Sequence, residues 1–161
     1  MILFRRPTWQ DWAFTALCML TFAAIAIPLG TMLGTLHWAP DLTSKETLRV
    51  ALIALILPAL LEEVVFRGPL IWWRESHDRV PLFMIILSLI AFIAWHPINA
   101  LTFMPQAAET FLDWHFMLVA GLFGLAATVM TLRSRSLWPA IVSHWVMVVA
   151  WKSLFGAPGF L

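Results

Sequence analysis

A chain of 161 residues in which 61% are hydrophobic and only 12% charged, with a mean hydropathy of +0.86, lies outside the range of water-soluble domains. Its length fits a single domain, and a formal net charge of +1 offers nucleic acid no basic face. Composition points to an integral membrane protein whose first partner is the lipid bilayer.

Arg5 and Arg6 precede the first apolar span, about Trp12 to Leu36, which carries no charge from Ala13 onward. Ala24-Ile25-Ala26 resembles a signal-peptide cleavage site, but the uncharged run exceeds a usual signal-peptide core, which favours a retained helix. Gly30 and Gly34 form a GxxxG, a spacing that marks close helix packing. Cys18, the single cysteine, has no intramolecular disulfide partner and reads as a small packing residue. A polar connector follows at 37 to 49. The second span starts near Val50, carries LEEVVFRGP at residues 61 to 69, and continues as a helix through Trp72 and Trp73 towards Arg74. The third, about Val80 to His96, is expected to close at Pro97, since proline disfavours helical geometry in the residue before it. Residues 98 to 113 read as an outside loop or a re-entrant segment. The fourth span is about Trp114 to Leu132, followed by Arg133 and Arg135, and the fifth about Leu137 to Phe155. Eight of the ten tryptophans, Trp9, Trp12, Trp38, Trp72, Trp73, Trp114, Trp138 and Trp151, stand at or near the ends of these runs, as interfacial anchors do.

The expected fold is all-α: one polytopic transmembrane bundle over residues 1 to 161 with about five spanning helices. Lys and Arg orient it. With the N-terminus cytoplasmic, that side holds Arg5, Arg6, Arg74, Arg79, Arg133 and Arg135, and the other holds Lys45, Arg49 and Lys152. The excess favours N-in and C-out.

Ionisable groups inside a span cost about 2.5–3.5 kcal/mol each on insertion scales and are functional candidates by default. Here they are Glu62, Glu63, Arg67, His96 and His144. Glu63 and Arg67, four apart, share a helical face and fit a buried structural ion pair. Glu62 points about 100° away around the same helix and needs other partners. Pro58, four residues before it, invites a kink beside the acid. Phe92 lies one turn before His96 on the same face. A single such histidine is more often a hydrogen-bonded packing residue. Glu62, His96 and His144 together, one on each of three helices, would hold a water, a metal or a proton path. His37, His77 and His115 fall in connectors or at interfaces and read as solvated.

Glu62-Glu63-x-x-x-Arg67, then Phe92-x-x-x-His96, then His144 after Trp138-Pro139 resemble the CPBP intramembrane proteases, which include the CAAX prenyl endoproteases and the bacterial relatives called Abi proteins. The resemblance covers about residues 50 to 150. It implies an endopeptidase in which Glu62 and His96 bind and activate the attacking water, with Glu62 as general base. It gives His144 a share in stabilising the oxyanion, and leaves Glu63, Arg67 and Phe92 to brace the motif. The implied partner is a membrane-associated protein or peptide, and the implied location is a bacterial inner (plasma) membrane. C-terminal processing of a sorting type is one form of that activity.

The family usually has Asn or Asp four residues after the late histidine, where this chain has Val148. Asn99 and Ser143 are the candidate substitutes as oxyanion donors. The family implies no cofactor. A zinc ion on Glu62, His96 and His144 is the competing arrangement, since a Glu with two His leaves the fourth position to water. Val148 also opens a rival reading, a weak or inactive scaffold or immunity protein on the same bundle. A small transporter is a third, disfavoured by the small number of helices and the lack of a two-fold repeat. Helix rise poses a problem of depth: His96 lies about 24 Å from Val80 but His144 only about 9 Å from Trp138, which puts them in different halves of the membrane. Substrate, oligomeric state and the side that the site faces are not encoded in any pattern visible at this level.

Overall fold

The computed structural model describes residues 2–41 and 44–155. Helix α1 (Trp9–Met32) starts on a capping box, in which the Thr8 hydroxyl accepts from the Asp11 N–H and the Asp11 carboxylate from the Thr8 N–H, so each satisfies one orphan donor. At its other end the Gly30 carbonyl accepts from the N–H groups of Thr35 and Leu36, and Gly34 takes a φ of +74° that favours glycine. A Cβ on Gly30 would stand 2.7 Å from Leu36. The GxxxG therefore shapes the helix's own terminal turn, and its expected role in packing against another helix is not what these neighbours show.

The second span is two helices. α2 (Ser44–Ala54) begins inside the segment expected to be a connector. The chain leaves helical geometry at Leu57 (φ −120°, ψ 106°), next to Pro58, within a widened turn at Leu55–Leu60. It resumes as α3 (Leu61–Ser76), with both glutamates in its first turn. The kink expected beside the acids is a full break.

α4 (Leu82–Thr102) runs straight through Pro97, which overturns the expectation that the span closes there. Proline removes one N–H, and a helix in apolar surroundings tolerates that when a neighbouring group serves the freed carbonyl. The freed carbonyl belongs to Ile93, and the His96 ring lies beside it. A short turn at Pro105–Ala107 and α5 (Ala108–Phe111) then fold back on the bundle, burying Ala107 and Phe111. α6 (Trp114–Ser134), capped by Asp113 on the His115 N–H, and α7 (Trp138–Leu154) complete an all-α bundle.

α1, α4 and α6 are long and apolar enough to cross a membrane. The other two expected spans are α7, with 17 residues, and the broken pair α2–α3. Large apolar side chains such as Leu17, Leu52, Leu87, Ile90 and Val129 point outward, as a lipid-facing belt requires.

The two ends of the bundle differ. At one, the Leu3 carbonyl accepts from Leu137 N–H at 2.9 Å, the Arg5 carbonyl from Ser136 Oγ at 2.7 Å, and the Arg133 guanidinium lies 4.3 Å over Phe14. The loop before α7 is thus tucked beneath the N-terminal segment, and Leu137 is fully buried. At the other end Ala39 N–H donates to Leu154 and Asp41 N–H to Ser153, at 2.9 and 2.8 Å.

Between the ends, Phe92, Phe123, Ala127, Met130 and Ala140 form the main core of α4, α6 and α7. Gly124 is the tight point. A Cβ there would meet Leu89 and Phe92 at 2.9 Å and Arg67 Nη2 at 3.1 Å. Gly124→Ala is therefore expected to lower stability in detergent micelles by about 1–3 kcal/mol, the usual overpacking range. Gly121→Ala, which meets only the flexible end of Ile93, should shift thermal unfolding far less.

Candidate active site

The charged residues of α3 do not all face one way. Glu63 and Arg67 are both fully buried. The Glu63 Oε1 accepts from Arg67 Nη1 at 3.3 Å and also from His144 Nδ1 at 2.9 Å. Arg67 Nη2 donates to the Gly124 carbonyl at 3.1 Å, and its guanidinium carbon stands 4.1 Å from the centre of the Phe92 ring. One arginine thus joins α3 to α4 and α6 while its carboxylate partner reaches α7.

Hydrogen-bond chemistry fixes the histidines. The Glu63 carboxylate only accepts, so His144 carries a hydrogen on Nδ1. That turns Nε2 towards Glu62, whose Oε2 lies 4.0 Å away. His96 Nδ1 lies 3.0 Å from the Phe92 carbonyl, again an acceptor, so the neutral ring presents Nε2 as a base. Glu62 Oε1 accepts from Trp95 Nε1–H at 3.1 Å. Its Oε2 is buried and has no hydrogen-bond partner among the described residues.

Phe92 is where these groups meet. Its ring packs edge-on against His96 and His144, with centroids 5.2 and 6.0 Å away, as well as stacking on Arg67. Glu62, His96 and His144 all line one cavity of about 1230 Å³ whose wall is otherwise almost wholly apolar. The depth problem disappears in the folded chain. α7 starts inside the bundle, with Leu137 buried under residue 3, so a histidine two turns along it reaches the level of His96.

Val148 lines the same cavity, buried, and so does Asn99. Ser143 does not: its hydroxyl donates to the Met130 sulfur at 3.6 Å. Of the histidines expected to be solvated, His115 is half-buried and pairs with Asp113 at 2.8 Å, and His77 is exposed but stacked on Trp73. Among the described residues, no group of three or more His, Cys, Asp and Glu is placed to hold a metal ion.

Sequence reasoning missed Trp95 and Gly124. Trp95 did carry a signal: it stands inside an apolar run and not at its edge, and a buried indole N–H needs an acceptor.

Removing either half of the Glu63–Arg67 pair leaves a buried charge uncompensated. Glu63→Ala and Arg67→Ala are each expected to lose about 3–5 kcal/mol in unfolding experiments in detergent. The double replacement Glu63→Gln with Arg67→Met should recover part of that loss.

The model of the family "Type II CAAX prenyl endopeptidase Rce1-like" matches residues 44–150, a stretch that contains every residue of this site. Comparison with curated proteins and with solved structures gave no match. With apolar helices of membrane-crossing length and a family match over most of its residues, this integral membrane protein belongs to the Rce1-like type II CAAX prenyl endopeptidases, a family of proteases.

Proposed function

We propose that the chain is an intramembrane endopeptidase in which Glu62 is the general base, and that it resides in a bacterial inner membrane with its N-terminus in the cytoplasm. The observation that carries the reading is the unpartnered Glu62 Oε2, 4.0 Å from His144 Nε2 at an apolar cavity. A water hydrogen-bonded to both, at about 2.8 Å from each, fits that gap. His96 Nε2 is the second acceptor for such a water.

In this mechanism Glu62 takes a proton as the water oxygen attacks the scissile carbonyl. His144, holding a hydrogen on each nitrogen, donates Nδ1–H to Glu63 and Nε2–H to the developing oxyanion. Collapse breaks the C–N bond, and Glu62 returns its proton to the leaving amine. Trp95 steadies the carboxylate, while Glu63, Arg67 and Phe92 fix the imidazole. The substrate is a membrane-associated protein or peptide, and processing near a C-terminal anchor is one form the reaction takes. No step calls on a bound metal or cofactor.

Val148 favours a second reading. A buried valine stands where the family's pattern has Asn or Asp, so the oxyanion site has one donor fewer, and the bundle serves as a weak enzyme or a scaffold. Asn99, three residues after His96 and on the same cavity wall, is the remaining candidate for that donor.

Two variants separate the readings, and a third tests Trp95. Protein termini in membrane and exported fractions are compared between cells making wild type and Glu62→Gln at equal levels. Loss of specific termini in the variant is expected; identical termini with the phenotype retained would sink the enzyme reading. Trp95→Phe, which removes one hydrogen bond to a charged group, is expected to slow formation of the same termini roughly ten-fold or more. Val148→Asn is expected to speed cleavage, by up to about 10²-fold if it supplies a full oxyanion donor. An unchanged zero rate in that variant would favour the scaffold.

A further inference from the structure

The cavity is not central in the bundle. Its wall takes residues of α1 only from Ala16 onward, of α3 only up to Phe66, of α4 only from Phe92, of α6 only up to Phe123, and of α7 only from His144. Besides the connector and start of α2 at 37–52, three long stretches contribute nothing: those before Ala16, from Arg67 to Ala91 and from Gly124 to Ser143. They are the three that meet at the end where Leu3 and Arg5 hold the loop before α7. They also contain Arg5, Arg6, Arg74, Arg79, Arg133 and Arg135 besides the buried Arg67, against Lys45, Arg49 and Lys152 elsewhere. At the opposite end, Leu36, Phe103 and Phe155 continue the cavity wall into the connectors.

Segments rich in arginine and lysine stay on the cytoplasmic side of a membrane protein. We infer that the cavity opens away from the cytoplasm and takes a polypeptide whose scissile bond lies at the non-cytoplasmic border of its own membrane-anchored segment. For its substrate this assignment rests on the proteolytic reading above; for the face it does not. The wall adds a restriction. Among the described residues its only ionisable side chains are Glu62, His96 and His144, all engaged in the mechanism above, so a charged residue flanking the bond would enter a mostly apolar site with no counter-charge to spare for it, at a steep desolvation cost. The residues on either side of the bond are therefore uncharged and mostly apolar.

The face is tested on the full chain with Cys18→Ala, carrying one new cysteine in place of Phe103 on the cavity rim or, as a second variant, Trp38 at the same end; both are exposed. A third places it at exposed Ser76, at the end of α3. In sealed right-side-out vesicles a membrane-impermeant maleimide should label Phe103→Cys and Trp38→Cys directly, and Ser76→Cys only after lysis. The reverse pattern would overturn the inference. Glu62-dependent termini that map to the non-cytoplasmic border of a substrate's anchor, with uncharged flanks, support the substrate class. Termini at the cytoplasmic border, or between charged residues, overturn it. External labelling of the rim with no Glu62-dependent termini at all would overturn the proteolytic reading and leave the face assignment standing.

Discussion

Everything in this bundle is arranged around a charge that has no water to hold it. Arg67 is completely buried, and a bare guanidinium in an apolar interior is unsustainable unless paired and hydrogen-bonded. Glu63 supplies the counter-charge, the Gly124 carbonyl takes a second donor, and the Phe92 ring covers the face of the ion. Each partner comes from a different position in the chain, so satisfying one ion aligns three helices. The absence of a side chain at residue 124 is what lets α6 come close enough to take part.

The same carboxylate oxygen that neutralises Arg67 also holds His144. Stability and chemistry are therefore not separable here. A change that loosens the ion pair frees the imidazole to rotate, and a change at the imidazole removes a donor from a buried acid. The two glutamates divide the labour by geometry: one faces inward to the fold, its neighbour faces the cavity. A shift of one residue along the helix turns the side chain by about 100°, which is enough to send one acid to the buried ion pair and the other to the cavity.

How much of this was legible depended on the distance along the chain. The Glu63–Arg67 contact could be read directly, because i,i+4 neighbours on a helix meet whatever the rest of the fold does. The break at Pro58 could be foreseen as a kink, though not as a full loss of helical geometry. The Glu63–His144 contact could not be foreseen: it joins residues 81 apart, and nothing in the spacing of either helix says which glutamate the histidine will choose. Pro97 misled for a clear reason. The rule that ends a helix before proline is a steric bias on the preceding residue and not a prohibition, and α4 keeps its helix through His96 and Pro97. Trp95 was overlooked because tryptophans elsewhere in the chain sit at membrane borders, and this one instead serves a carboxylate.

The clasp between residues 3 to 5 and residues 136 to 137 has a further meaning. It spans 131 positions in the case of Arg5 and Ser136, so it is among the last contacts that a growing chain can close. It joins the other ties on α7, the hydrogen bond between His144 and Glu63 and that from the Trp145 indole to the Ala51 carbonyl, in setting the height at which His144 faces Glu62. His144 follows both glutamates and the clasp in the chain, so the cluster around Phe92 is complete only when the last described helix has joined those made before it.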